Sequence, residues 1–135
     1  MQKEKSCGAV VSRNCGGQHL ILLIKHKNGG HWAFPKGHVE GEEQETETAA
    51  REIWEETGLS AKINTGFRAV VTYSPKKNVI KDVIYFAAVA NSGDPIAQPG
   101  EVEKIQWVTP AQAFDVVSYE NDREVLRKYI RFIHE

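Results

Sequence analysis

The sequence predicts an α+β fold in which one mixed β-sheet is flanked by helices. Runs of β-type residues are separated by turns that contain glycine, proline or asparagine, as expected for short strands. The strands are expected at residues 6–12, 19–27, 32–34, 61–73, 79–90 and 104–108. Two other segments, 44–57 and 121–133, have the composition or spacing of helices. A chain of 135 residues is the usual size of one compact domain, so we expect a single domain over residues 1–135.

Turn residues predict two hairpins. Residues 14–17, Asn-Cys-Gly-Gly, suit a tight turn, so the first two strands should pair in antiparallel fashion. The short third strand stops at Pro35, which cannot donate a backbone hydrogen bond. Residues 74–78, Ser-Pro-Lys-Lys-Asn, form the predicted turn between the two long runs of the second half.

The predicted helices have identifiable ends or faces. Segment 44–57 is rich in Glu and Ala and closes at Gly58, a residue type that tolerates the left-handed conformation after a helix. Thr109 and Pro110 form an N-cap followed by the proline favoured at the first helical position. In segment 121–133 the apolar residues have helical spacing, and they are Val125, Leu126, Tyr129, Ile130 and Ile133. Trp54 and Trp107 are expected to pack in the interior.

Composition excludes several classes of protein. Hydrophobic residues make up 41% and charged residues 26% of the chain, which is typical of a soluble globular protein and not of a disordered one. No apolar run is long enough to cross a bilayer and the polar start lacks a signal peptide, so we expect a cytoplasmic protein without a membrane partner. A net charge of −1 argues against general nucleic-acid binding.

Acidic residues concentrate between positions 40 and 56, where there are eight glutamates. Glu52, Glu55 and Glu56 stand at i, i+3 and i+4, so their carboxylates share one helix face within about one turn. Like charges at this spacing repel, and they are either fully solvated or neutralised by a divalent cation such as Mg²⁺ or Mn²⁺. The spacing alone favours a solvated face.

The segment before this helix changes that interpretation. Residues 34–38 read Phe-Pro-Lys-Gly-His and lead through an acidic loop into the helix. After Gly37, five residues precede Glu43 and seven more precede Arg51, and residues 51–59 then read Arg-Glu-Ile-Trp-Glu-Glu-Thr-Gly-Leu. The chain thereby resembles the Nudix hydrolase family at every fixed position of the Nudix box. The resemblance implies the Nudix fold, an α/β/α sandwich with a mixed central sheet.

The same resemblance implies the chemistry of the box. Glu52, Glu55 and Glu56 would bind magnesium, with manganese as the alternative, together with the backbone carbonyl of Gly37. Glu52 or a nearby carboxylate would deprotonate the attacking water, while the cation absorbs phosphate charge and lowers the pKa of that water. No covalent intermediate is required. Arg51 is also a catalytic candidate. It is expected to pair with Glu43 and hold the loop against the helix.

Outside the box the chain resembles the asymmetrical diadenosine tetraphosphate hydrolases of the Nudix family. The resemblance is carried by Cys7-Gly8 before an apolar strand, His31-Trp32 before the box, and residues 81–86, Lys-Asp-Val-Ile-Tyr-Phe. It implies that Lys81 binds phosphate and that Glu101, six residues before Trp107, assists the metal site. In residues 39–43, Val-Glu-Gly-Glu-Glu, the chain departs from the Pro-Gly that is common there, although the spacing to Glu43 is kept.

Four further residues are candidates for substrate binding. Lys36 and His31 lie beside the box and would suit phosphate. Tyr85 shares a strand face with Lys81 and offers a flat surface for adenine, with Tyr73 expected opposite it across the hairpin. Each candidate also has a plainer interpretation, as a surface lysine, a loop hydrogen-bonding group or a packing residue.

Three functions follow from this pattern. The favoured one is hydrolysis of diadenosine tetraphosphate to ATP and AMP. The second is the same chemistry on an oxidised nucleoside triphosphate, a capped RNA end or a diphosphoinositol polyphosphate. The third is a nucleotide sensor that does not cut its ligand, although such modules usually lack a box glutamate and this chain keeps Glu52, Glu55 and Glu56. The expected partner is a small nucleoside polyphosphate, with a capped RNA end as the only nucleic acid.

Overall fold

Seven strands and three helices make up the computed structural model, which describes residues 1–135. In chain order the elements are β1 (Gln2–Cys15), β2 (Gln18–His26), β3 (Trp32–Ala33), β4 (Lys36–His38), α1 (Glu45–Thr57), β5 (Lys62–Tyr73), β6 (Val79–Val89), β7 (Val102–Val108), α2 (Pro110–Val116) and α3 (Glu120–Ile133). No helix among them is long and apolar enough to span a membrane.

All strands belong to one mixed sheet, as predicted. The strand order is β3-β2-β1-β6-β5, and in addition β4 pairs with β1 and β7 with β2. β1 runs parallel to β6 and antiparallel to β2 and β4, and β5 and β6 form an antiparallel hairpin. Both predicted hairpins are therefore confirmed. The pairing of β4 with residues 6–8 of β1 fixes the start of the Nudix box to the centre of the sheet.

The sheet is covered by helices on both faces, which confirms the α/β/α sandwich. Side chains of successive strand residues point to opposite faces. On one face, strand residues such as Ala9 and Phe86 pack with Ala49 and Ile53 of α1. On the other face, the strands pack against α2 and α3. The buried residues of that second core include Val10, Leu23, Phe34, Val83, Tyr85, Val125, Leu126 and Tyr129.

The limits of the helices follow local chemistry closely. Gln44 is the N-cap of α1 and forms a reciprocal capping box with Glu47, while Gly58 ends the helix in the left-handed region at φ 69°. Thr109 accepts a hydrogen bond from the backbone N–H of Gln112 and caps α2. The strand limits were predicted less well. β1 begins at Gln2 rather than at Ser6, because its parallel pairing with β6 starts at Gln2 and includes polar residues.

The expectation for the two tryptophans is half wrong. Trp107 is partly buried against the α1-side core. Trp54, in contrast, is 59% exposed. Ala49 and Ile53 direct α1 toward the sheet, and a residue one position after Ile53 is rotated by about 100° around a helix of 3.6 residues per turn. Trp54 therefore points away from the core.

Candidate active site

The start of the Nudix box is pressed against helix α1. Gly37 on β4 pairs with Cys7 of β1, and the carboxylate of Glu52 lies directly over its Cα. A Cβ at position 37 would overlap the carboxylate carbon and both oxygens of Glu52. The backbone angle of Gly37 is not in the left-handed region, so the close approach of Glu52 is what requires glycine here.

Two of the box glutamates are buried on successive turns of α1. Glu52 and Glu56 are 9% and 8% exposed. Burial, followed by the charge of Glu52, raises the pKa of Glu56 to about 8, although the backbone N–H of Lys36 donates to Glu56 Oε1 at 3.0 Å. Burial also raises the pKa of Glu52, against the opposing effect of Arg51. Both carboxylates therefore lie where an uncompensated negative charge is unfavourable.

The third box glutamate, Glu55, is more exposed and forms an ion pair with Arg51. Arg51 Nη1 donates to Glu55 Oε2 at 3.1 Å and lies 3.5 Å from Glu52 Oε1. No three acidic, histidine or cysteine side chains lie close enough together to form a complete metal cage. The donors nevertheless fit a hard divalent cation. They are carboxylate oxygens, and two of them are buried where a positive charge would relieve their repulsion.

The expected ion pair between Arg51 and Glu43 is present. It is bidentate, with Nε to Oε2 at 2.7 Å and Nη2 to Oε1 at 3.0 Å, and Arg51 Nη2 also donates to the carbonyl of His38 at 2.9 Å. Glu43 accepts a further hydrogen bond from Thr48. The hydrogen bond from Arg51 lowers the pKa of Glu43 to about 2. One arginine thus ties the box loop, β4 and α1 together.

A cavity of about 660 Å³ opens beside this charged region. Lys36 connects the cavity to the glutamates, because it lines the cavity and its backbone N–H donates a hydrogen bond to Glu56. Four of the five predicted substrate residues, His31, Lys36, Tyr73 and Tyr85, line it. The remaining lining residues are Ala33, Val71, Ser74, Pro75, Val83, Tyr119, Glu120, Asn121 and Asp122. Residues far apart in the sequence therefore meet in one largely apolar and aromatic cleft.

The fifth candidate, Lys81, does not line the cavity. It is 8% exposed, and its Nζ lies 3.3 Å from Nε2 of His38. Burial lowers the pKa of Lys81. The strand register places Tyr73 opposite Lys81 and Ala69 opposite Tyr85, so the expectation that Tyr73 faces Tyr85 across the hairpin is wrong. Tyr73 and Tyr85 still reach the same cavity because they lie on the same face of the sheet.

Tyr85 and His31 contribute to the cavity in different ways. Tyr85 is 1% exposed and its ring packs edge-on against Phe34, so it forms part of the floor. The ring of His31 stacks on His26 with a centroid separation of 4.2 Å and lies 5.5 Å from the ring of Tyr119. Burial lowers the pKa values of both histidines, that of His26 to about 4. At neutral pH His31 therefore offers a flat, uncharged ring.

Glu101 lies in the exposed loop that precedes β7. Its carbonyl oxygen accepts a hydrogen bond from the backbone N–H of Lys27 at 2.9 Å, which anchors the loop to the end of β2. Its negative charge adds to burial in raising the pKa of Glu56, so the two carboxylates belong to the same electrostatic region.

Nine of the 13 residues that line the cavity were not predicted, and these include Tyr119 and Asp122 at the start of α3. Tyr119 is the N-cap of α3 and is 54% exposed, and Asp122 lies in the first turn of α3 and is 6% exposed. An acidic residue in a first helical turn is common because it complements the helix dipole. Nothing in the local sequence therefore distinguishes Asp122 from a helix-stabilising acid, and the cavity appears only when α3 packs beside the β5–β6 hairpin.

Comparison with known proteins supports these observations over nearly the whole chain. Residues 3–131 match the NUDIX domain family. The chain is a Nudix hydrolase. The expected Nudix fold and the family resemblance inferred from residues 37–59 are both confirmed.

Relatives of this Nudix hydrolase differ in their named substrates. It is 39% identical over 111 residues to an 8-oxo-(d)GTP phosphatase of Mycolicibacterium smegmatis, covering 82% of this chain but only about a third, 34%, of that protein. It is 31% identical to the asymmetrical bis(5'-nucleosyl)-tetraphosphatase of Rattus norvegicus, covering 96% of this chain and 95% of the rat protein. A binary complex of the C. elegans Ap4A hydrolase superposes with a TM-score of 0.88 at 28% identity, covering 97% of this chain and 98% of the other.

Proposed function

We propose that this Nudix hydrolase cleaves dinucleoside tetraphosphates, converting diadenosine tetraphosphate to ATP and AMP. The observation that carries the proposal is the aromatic cavity of about 660 Å³ that adjoins the buried carboxylates Glu52 and Glu56 through Lys36. The aromatic cavity would hold a flat base, and the phosphate chain would extend past Lys36 toward the carboxylates. Likeness to the rat tetraphosphatase over 96% of the chain supports the same substrate class.

Nudix hydrolases generally use a divalent metal, and we assign magnesium here, with manganese as the alternative. Glu52, Glu55, Glu56 and Glu101, with the carbonyl of Gly37, would hold it. When bound, such a cation neutralises charge on the phosphates and lowers the pKa of the attacking water. The side chain of Glu52, held over Gly37, is the proposed acceptor of the proton from that water.

The remaining residues of the region bind and position the substrate. Lys36 supplies positive charge between the base cavity and the glutamates. Lys81 on β6 supplies a second positive charge with which a terminal phosphate can be held, and its Nζ lies 3.3 Å from Nε2 of His38 on β4, across the intervening strand β1. Arg51 acts through other side chains, because it is fully engaged with Glu43, Glu55 and the carbonyl of His38.

The test is product analysis of Glu52→Gln with magnesium and diadenosine tetraphosphate. We expect the native protein to release ATP and AMP, and the variant to lose roughly a thousandfold or more in turnover, because the glutamine cannot accept a proton. Its thermal stability and substrate binding should change little. Glu42→Gln is the matched control, because Glu42 is an exposed glutamate of the box loop. A variant as active as the native protein would contradict the assignment of Glu52. Absence of turnover in the native protein itself would favour a sensor.

Oxidised guanosine triphosphate is a second candidate substrate, because the M. smegmatis relative, 39% identical over 111 residues, is named as an 8-oxo-(d)GTP phosphatase. Oxidised guanosine triphosphate, capped RNA and a diphosphoinositol phosphate are therefore tested in parallel. Faster turnover of any of them than of both diadenosine and diguanosine tetraphosphate would leave the metal-site assignment standing and overturn the proposed substrate class.

A further inference from the structure

Asp122 is a buried acid without a strong partner in the protein. Its side chain lines the cavity and is 6% exposed. Its single hydrogen-bond partner is the hydroxyl of Tyr85, at a long O···O distance of 3.5 Å. The charges of Lys36 and Arg123 partly offset the burial of Asp122, but neither side chain forms an ion pair with it, and Arg123 pairs with Glu120 instead. The carboxylate therefore has acceptor capacity that the fold leaves unused.

An acid in this position has an electrostatic cost. A buried carboxylate is disfavoured unless hydrogen bonds or opposite charges compensate it. Burial raises the pKa of Asp122 to about 6, so the group is still mainly ionised at neutral pH and can only accept hydrogen bonds. The cavity wall combines aromatic and aliphatic residues such as Tyr73, Val83 and Tyr119 with polar ones that include Lys36 and Asn121. The part of a ligand that contacts Asp122 must carry N–H or O–H donors to use its free acceptor capacity.

We propose that Asp122 selects the base of the substrate by accepting two hydrogen bonds from the N1–H and 2-amino groups of guanine. Two adjacent donors match the two oxygens of a carboxylate, and such bidentate, charge-assisted pairs are strong. Adenine presents an amino group beside the acceptor N1, so one carboxylate oxygen would face a lone pair. The same cavity should therefore bind guanine more tightly than adenine. This inference rests on the proposed function to the extent that the base occupies this cavity.

The expected size of the preference follows from the cost of unpaired polar groups. A site that hydrogen-bonds a substrate group discriminates strongly against an analogue without it. We expect kcat/KM for diguanosine tetraphosphate to exceed that for diadenosine tetraphosphate by at least about tenfold. Diinosine tetraphosphate should fall between them, because hypoxanthine keeps the N1–H and lacks the 2-amino group.

The decisive experiment compares these three substrates on the native protein, on Asp122→Asn and on Glu120→Gln. Glu120 is the matched control because it lines the same cavity from the same helical turn but has an exposed side chain. In Asp122→Asn the guanine preference should be lost or reversed in favour of adenine, mainly through KM, because the amide offers one acceptor and one donor instead of two acceptors. Glu120→Gln should keep the native preference.

Two results would overturn the inference. One is a native preference for adenine, or a guanine preference that Asp122→Asn does not change. The other would assign Asp122 to the ribose. In that case kcat/KM of the native protein would fall by the same factor for the 2'-deoxy forms of all three substrates, and Asp122→Asn would not change the base preference. If no dinucleoside tetraphosphate is cleaved at all, the proposed function fails separately. The base preference is then read from the Kd values of GTP and ATP by calorimetry, with the same variants.

Discussion

The charged region around α1 and the cavity beside α3 are built in opposite ways. Every residue of the box network, from Gly37 to Glu56, comes from one continuous stretch of chain, and Arg51 alone makes hydrogen bonds to Glu43, Glu55 and His38 within it. The cavity draws its wall from the segments around β3, β4, β5, β6 and the start of α3. Its buried acid, Asp122, has one long hydrogen bond. Apart from Glu101, the groups proposed for the reaction are therefore encoded in one local stretch, whereas the cavity that would hold the base depends on long-range packing.

Two glycines on adjacent paired strands allow this difference to be tested. Gly37 and Gly8 lie on β4 and β1, one residue apart in the register of the two strands. A Cβ at Gly37 would meet the end of a side chain, that of Glu52, whereas a Cβ at Gly8 would meet the carbonyl oxygen of Pro35 and the Cα and Cβ of Lys36. The same substitution should therefore damage catalysis in one region and packing in the other.

The largest effect is expected for Gly37→Ala. The new methyl group would displace the Glu52 carboxylate, which can rotate away without moving the backbone. We expect turnover to fall by at least about a hundredfold, equivalent to roughly 3 kcal/mol of barrier, with a small change in melting temperature. Steady-state kinetics and a thermal melt on the same sample measure both quantities. Full activity in a folded variant would show that the position of Glu52 over Gly37 is not needed.

A smaller effect of a different kind is expected for Gly8→Ala. Backbone atoms of Pro35 and Lys36 cannot move without shifting β4, so the substitution overpacks the sheet. The free energy of unfolding should fall by about 2 to 3 kcal/mol, measured by urea denaturation. Because Lys36 lines the cavity, KM should also rise. Unchanged stability would mean that β4 is held less firmly than its pairing with β1 indicates.

The smallest effect is a gain in stability for Asp122→Asn that depends on pH. The pKa of Asp122 is raised from 3.8 to about 6 in the folded protein, so the unfolded chain loses this proton first as the pH rises. The native protein should therefore lose stability relative to the variant between about pH 4 and pH 6. Above pH 6 the variant should be more stable by about 1 to 2 kcal/mol, and near pH 4 the two should be equal.

Urea denaturation of both proteins at several pH values measures this difference, and Glu120→Gln serves as the control with an exposed carboxylate. A gain that is the same at pH 4 and pH 7 would show that the burial of Asp122 does not affect its ionisation. A loss at all pH values would mean that the ionised carboxylate stabilises α3.

The local signals of the sequence were accurate where the chain makes short-range contacts. Gly58 ends α1, the turn at residues 14–17 joins β1 to β2, and the spacing of Glu43 and Arg51 indicated an ion pair that is present in the structure. The exposed position of Trp54 was missed because composition suggests burial for tryptophan, whereas its angular position on α1 decides against it. The register of β5 and β6 also could not be read from the turn between them.

The sequence by itself determined the family, the sandwich fold and the set of glutamates proposed to hold the cation. Those features depend on motif spacing and on the alternation of residues in strands, and both are local properties of the sequence. The tertiary structure decided that His31, Tyr73, Tyr119 and Asp122 share a cavity and that Lys81 turns toward His38 instead. The physical reason is that these groups are brought together only when the β5–β6 hairpin and α3 bury their apolar faces on the same side of the sheet.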